Sequence, residues 1–221
     1  LDPSQVGLLT DVQLKSLSST QVGNLEASQI QAMSAKQISA LLLSQVQGMT
    51  GEQLLSLSAT QIQAFTTGQV SALSGAQLQS LTTEQLGYLT GAQFSALTTT
   101  QIGALSEEQI GSLGSSVIQS LTTAQVASLT SAQLAAMSGA QLAALTSDQW
   151  TGLTVTQVQA LSTAQIAAIR TDVILSLSSD QIAAFDDTQL KALTAAQLSK
   201  MTAEQVGAMG LDNVDDVAAL T

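Results

Sequence analysis

Two apolar positions and one polar position recur along this chain with a period of eight. Gln marks the period: it stands at Gln5, Gln13, Gln21, Gln29 and Gln37, and then at every eighth residue to Gln205, interrupted only at Val117 and Val173. Residues 1–216 divide into 27 octads, and 24 of them carry Gln at the fifth position. The first position is mostly Leu, with occasional Met or Phe, as at Met33, Phe65, Met137 and Phe185. The sixth is Ile, Val or Leu, with Phe94 and Trp150 as its bulkiest versions. The eighth is mostly Ala, Ser or Gly, and the third, fourth and seventh vary among polar and small residues, which are expected to face solvent.

This pattern excludes a strand and a continuous helix. Positions one and six have opposite parity and would lie on opposite faces of a strand. Along a single helix, eight residues advance by about 800°, so the apolar stripe would drift by about 80° per octad and wind around the cylinder. The period also matches neither the heptad nor the eleven-residue coiled coil. The remaining solution is a short helix that restarts in every octad.

The polar positions say where it restarts. Ser or Thr fills the second position in 20 of the 27 octads, three residues before the Gln. That is a capping box: the hydroxyl accepts from the backbone N–H three residues on, and the Gln side chain reaches back to the N–H of the cap. Asp2 and Asp186 fill the same position with another good N-cap. The single proline, Pro3, follows Asp2 directly, at the first helical position, where proline is best tolerated. Asp11, Glu52, Glu84, Glu107, Glu108, Asp148, Asp180 and Glu204 all fall just after the cap, where the helix dipole favours anions. Lys15, Lys191 and Lys200 fall near the other end, and Lys36 departs from the pattern.

Helices of about six residues cannot stand alone, because nucleation is costly and most of their amides are terminal. They must stack on their neighbours. The expected fold is all-α: an elongated repeat solenoid of short single helices, one per octapeptide repeat, across residues 1–216. Residues 209–221 read as an irregular C-terminal cap or junction. The small eighth position is expected to let consecutive helices approach at each corner. Neither the hand of the superhelix nor the number of octads per turn follows from the pattern.

Composition narrows the function. The chain is 45% hydrophobic but only 2% aromatic, which suits a thin core of Leu, Ile and Val. The formal net charge of −11 argues against nucleic acid and against anionic membrane surfaces as partners. With no Cys and no His, thiolate chemistry, disulfides, the usual zinc sites and imidazole catalysis are ruled out. No apolar run is long enough for a transmembrane helix, so no membrane insertion is expected. The chain begins at Leu1 in phase with the repeat, which suggests a mature fragment or a piece of a longer array.

No catalytic, cofactor-binding or metal-binding residue stands out, and no cofactor is expected. The hydroxyls fall at cap positions, and Gln reads as their capping-box partner rather than as a ladder for a ligand. The segment Asp212-Asn213-Val214-Asp215-Asp216 invites a calcium reading, but it lacks the Gly and the closing Glu of an EF-hand loop. Three octads are defective. Leu41-Leu42-Leu43 loses its cap, whereas Leu113 to Val117 and Ile169 to Val173 lose both cap and Gln. These read as bends or as neutral drift, with drift favoured.

The octad Leu-Ser/Thr-x-x-Gln-Ile/Val-x-Ala, as repeated from Leu121 to Ala168, resembles the octapeptide-repeat arrays of large, acidic, cysteine-free bacterial exported and surface adhesin-like proteins. The resemblance implies an extracellular or cell-surface location and carries over no functional residue. A local likeness of Thr202-Ala203-Glu204-Gln205-Val206 to the first helix of the TAL-effector DNA-binding repeat is set aside, because that family has a longer repeat and a basic surface. The leading expectation is a non-enzymatic stalk, spacer or filament subunit, with self-assembly end to end or side by side as its partner relation. The alternatives are a solenoid scaffold for a protein partner and an ice-binding protein.

Overall fold

The computed structural model describes residues 1–210, and among these there are 26 short helices and no strand. Each helix occupies one octad and has four to six residues, as in Thr67–Ala72 and Gly91–Ser95. Most starts follow one local design. At Thr66 the backbone is extended (φ −71°, ψ 158°), Oγ1 accepts from the Gln69 N–H at 3.1 Å, and the Thr66 N–H donates to Gln69 Oε1 at 2.8 Å. Asp2 and Asp186 cap in the same way, and Pro3 takes the first helical position.

The helix ends when the first-position residue turns extended. Leu73, for example, has φ −63° and ψ 141°. Two successive extended residues, at positions one and two, therefore form the corner. No described non-glycine residue has positive φ, so the corners need neither Gly nor Pro. An L-residue with a large apolar side chain fits there, and that side chain is free to point into the core.

The chain divides into two compact units, Leu1–Gln109 and Ile110–Thr221. In the first, the helix Gly75–Ser80 packs on Gly51–Leu55 on one side and on Thr99–Ala104 on the other, three octads away in each direction. In the second, Ser115–Ser120 packs on Gly139–Ala144 and Ser179–Ala183 on Ala203–Ala208 with the same spacing. Each unit is a repeat solenoid whose core is the sixth-position column with the first-position column beside it. Val70, Leu78 and Ile102 are fully buried, and Leu73, Leu81 and Leu105 nearly so. Burying each such side chain stabilises by about 1.5–3 kcal/mol, an upper figure because unfolded chains already bury part of this surface.

The defective octads keep their helices. Leu43–Gln47 forms without a cap hydroxyl because the Leu42 N–H still donates to Gln45 Oε1 at 2.8 Å. Ser115–Ser120 and Thr171–Ile174 form without either half of the box. Lys36, out of pattern on its own helix, lies 3.6 Å from Asp11 of the preceding turn as an exposed ion pair.

One expectation is corrected. The small residues do not mainly bring consecutive helices together at a corner; they bring successive turns together. A Cβ on Gly75 would stand 2.8 Å from Ala104 Cβ, and one on Gly139 would stand 2.9 Å from Ala168 Cβ, so position three meets position eight of the next turn. Position seven meets the backbone: a Cβ on Gly23 would come within 2.5 Å of the Gly48 carbonyl oxygen. Position three is thus partly covered in many octads, while positions four and seven are mostly exposed, as expected.

This packing reverses the sign of an ordinary substitution. At Gly87, a helical residue with open space around its Cβ direction, Gly87→Ala should stabilise by about 0.5–1 kcal/mol through lost chain entropy. At Gly48 the new methyl would lie 2.5 Å from the Ser19 carbonyl oxygen, so Gly48→Ala should lower the melting temperature that Gly87→Ala raises. Thermal melts followed by circular dichroism read both changes.

Candidate functional site: a glutamine amide ladder

The most regular polar feature of the molecule is the second bond of the repeated Gln. Its Oε1 is held by the cap of its own helix, which leaves the –NH2 group two hydrogens to donate. In Gln69, Nε2 donates to the Ile38 carbonyl and to the Leu41 carbonyl, each at 2.9 Å. Gln61 does the same to Ile30 and Met33, at 3.0 and 2.8 Å, and Gln101 to Val70 and Leu73, at 3.1 and 2.6 Å. In the second unit Gln157 reaches Val126 and Leu129, and Gln197 reaches Ile166 and Ile169. These acceptors are 31 and 28 residues earlier, at positions six and one, and in several octads the carbonyl 30 residues earlier also comes within reach, as Ser39 does for Gln69 at 3.4 Å.

These carbonyls are the ones a short helix leaves over. The last C=O groups of any helix lack an intrahelical partner. In the Ala35–Ala40 helix the Ile38 carbonyl is taken up by the Leu41 N–H at 3.2 Å, in a tightened last turn. The Leu41 carbonyl, at the extended corner, takes its hydrogen from Gln69. A residue separation of 28 is three and a half octads, so a helix lies over the junction between two helices of the turn below, as bricks overlap in a wall.

Burial of the Gln follows from having a turn beneath it. Gln5, Gln13 and Gln21 are exposed, while Gln37, Gln45 and Gln53 are buried to 4, 1 and 2% exposure. A buried primary amide is tolerable because no buried side-chain nitrogen or oxygen among the described residues is left without a partner.

Sequence reasoning assigned Gln to the cap and missed this second role. A signal was present: a capping box accepts Glu as well as Gln, yet no octad has Glu at position five. Only the amide can accept at one end and donate at the other.

Val173 interrupts the ladder in the second unit, and other side chains donate to two carbonyls beneath it, one of them a ladder acceptor. The carbonyls 31 and 30 residues before it belong to Leu142 and Ala143. Trp150 Nε1 donates to the Leu142 carbonyl at 3.3 Å, and Arg170 Nη1 donates to the Ala143 carbonyl at 3.2 Å. The Trp150 ring is itself buried in a sixth-position slot. Arg170 is fixed by a two-pronged contact with Asp172, at 3.0 and 2.6 Å, and the hydrogen bond from Arg170 holds that carboxyl below its ordinary range. Trp150 therefore packs, as expected, and also donates to one of the two carbonyls that a Gln at position 173 would reach.

No group of three or more metal-ligating side chains occurs among the described residues. The Asp212–Asp216 segment of the calcium reading lies outside them. No described helix is long and apolar enough to cross a membrane.

The ALTTAQ repeat family model matches this chain in tandem, over residues 68–99, 83–115, 118–155 and 126–163. Leu121-Thr122-Thr123-Ala124-Gln125 spells all but the first letter of that repeat, from the corner Leu through the cap to the ladder Gln. The chain is thus a tandem repeat array, similar over these segments to the ALTTAQ repeat. No curated protein matches it.

Two substitutions separate the roles of the ladder. Gln69→Glu keeps the acceptor for the cap but turns a carboxylate toward two carbonyl oxygens. It should cost at least about 1–3 kcal/mol, the penalty for a buried group that loses its partner. Burial and the facing carbonyls raise the folded-state pKa of the new carboxyl above its unfolded value, so the folded state binds the proton more tightly. The loss is therefore largest at neutral pH and shrinks as pH falls through that raised pKa, whereas the parent ladder holds no titrating group. Melts between pH 4 and pH 8 distinguish the two. Separately, Trp150→Phe should cost about 1 kcal/mol in the parent and less in a Val173→Gln background, which restores an amide to the same carbonyl. A double-mutant cycle in urea measures that coupling.

Proposed function

We propose that this chain is a structural repeat segment, serving as a stalk, spacer or filament subunit of an exported bacterial surface or adhesin-like protein. On this reading it acts outside the cell, carries no catalytic activity and holds no cofactor or metal. The observation that carries the reading is that the recurring polar groups are bonded inside the array. The Thr66 hydroxyl caps its own helix, and the Gln69 amide ties its turn to the one before. What remains outward is mostly Ala, Ser, Thr, Gly and Gln, which gives little from which to build a specific site.

A load-bearing segment also benefits from the way the bonds are distributed. Each turn is held to the previous one by several amides, each with two hydrogen bonds, and separating two turns has to break them together. Stability of this kind adds up over repeats and interfaces, and lengthening the array adds more of the same. The acidic surface keeps such a segment soluble and discourages adhesion to anionic membranes.

Immunogold labelling of intact source cells with antibody raised to this chain tests the location. Label on the outer surface, without permeabilisation, is the expected result. Label that appears only after permeabilisation contradicts the reading.

A further inference from the structure

The basic residues of this chain are few, and they stand in unlike surroundings. Lys15, Lys36 and Lys191 lie inside helices and Lys200 two residues after one, and each of those helices starts with a complete capping box. The helices of Lys36 and Lys191 are also fastened by the ladder amides of Gln37 and Gln189. Arg170, the only arginine, is placed differently. It occupies the extended corner itself (φ −67°, ψ 148°), where other octads carry the cap hydroxyl.

Residues 169–176 lack both bonds that secure the octads beside them. With Val173 in place of Gln no amide reaches back to the cap, and the Val173 N–H turns to the Arg170 carbonyl at 3.1 Å. The helix Thr171–Ile174 has only four residues. Of the two carbonyls that a Gln at this position would reach, Leu142 has the Trp150 indole, but no described donor reaches that of Leu145, a residue with 0% exposure. A buried carbonyl without a donor favours local opening. The flanking octads keep their ladder: Gln165 donates to Leu134 and Met137, and Gln181 to Trp150 and Leu153. What holds the start of residues 169–176 lies at the surface. The Arg170 guanidinium bonds Asp172 and the Ala143 carbonyl, with the two charged side chains 42 and 61% exposed, and exposed ion pairs hold weakly.

We propose that the Arg170–Thr171 peptide bond is a processing site for a serine-type protease selective for arginine, reached when residues 169–176 open locally. Cleavage needs an accessible backbone at the cut bond, and an arginine-selective protease takes the guanidinium into a pocket with a carboxylate at its base. Arg170 already has an extended backbone. Opening has only to release its guanidinium from Asp172 and to unwind the single turn from Thr171 to Ile174. Hydrolysis then adds one water across the bond. The water hydroxyl goes to the Arg170 carbonyl carbon, the C–N bond breaks, and the freed Thr171 amine takes the proton. This inference goes beyond the structural reading of the chain and does not depend on where the chain acts.

The test is digestion of the folded chain by dilute trypsin, with the products identified by mass. When reclosing outpaces cleavage, the rate of cutting follows the population of the open form. The bond after Arg170 should be cut at least about tenfold faster than those after Lys36 and Lys191, giving fragments of residues 1–170 and 171–221. Val173→Gln supplies the absent amide and should slow this cut by about fivefold or more, with the rates after Lys36 and Lys191 unchanged. Asp172→Ala, at an exposed position, frees the guanidinium and should speed the cut about two- to fourfold. A cut after Lys36 or Lys191 that precedes the one after Arg170 would overturn the proposal. So would a folded Val173→Gln chain that is cut after Arg170 as fast as the parent. If Val173→Gln does not fold, Asp172→Ala decides, because a cut after Arg170 no faster than in the parent contradicts the proposal. None of these results alters where surface labelling finds the protein, so the failure of processing and the failure of the structural reading are distinguishable.

Discussion

A primary amide can accept a hydrogen bond at one end and donate two at the other, and this structure depends on that property. The fifth-position Gln accepts from the N-cap of its own helix and donates to two carbonyls of the turn beneath, as Gln69 does to Ile38 and Leu41. One side chain thus starts a helix and fastens it to the array. A hydroxyl is too short to span both sites, a carboxylate cannot donate, and an ammonium cannot accept. Asn has the right chemistry with one methylene too few.

From that constraint the rest of the repeat can be read. Helices of four to six residues leave carbonyls over at their C-terminal ends, and in water these would cost nothing. Inside a solenoid they must be met, and the amide from the turn above meets them. The half-octad overlap makes this possible, because it sets the N-terminal end of one helix over the C-terminal end of another. The same overlap brings positions three and seven close to position eight of neighbouring turns, which is why Gly, Ala and Ser recur there. Where the amide is lost, at Val173, an indole reaches one of the two ladder carbonyls, that of Leu142, and a guanidinium reaches the adjacent carbonyl of Ala143. A ladder carbonyl can thus be met by a donor other than Gln.

Much of this was legible in the sequence, for identifiable reasons. The helix starts were, because Ser/Thr-x-x-Gln, Pro3 and the placement of the acids all report on one local geometry. The core was also, because positions one and six are apolar through nearly every octad. The contact between turns was not. It depends on three and a half octads making a turn, a number fixed by how wide a turn must be to bury Leu against Ile, and nothing local encodes it. The small eighth position was consequently assigned to corners when it serves the stacking of turns. The compensation by Trp150 was hidden for the same reason, since Val173 and the carbonyl of Leu142 come together only through the stacking.

The most direct measurement of the central claim is hydrogen exchange of the Gln side-chain amides, resolved by NMR. If the ladder holds the turns together, the –NH2 groups of Gln53, Gln61, Gln69 and their equivalents exchange slowly, on the scale of protected backbone amides. Those of Gln5, Gln13 and Gln21 in the monomer, and of the exposed Gln47 and Gln63, exchange at the rate of free amides. Fast exchange at every Gln in a folded, cooperatively melting chain would mean that the core alone carries the stack, and would contradict the account.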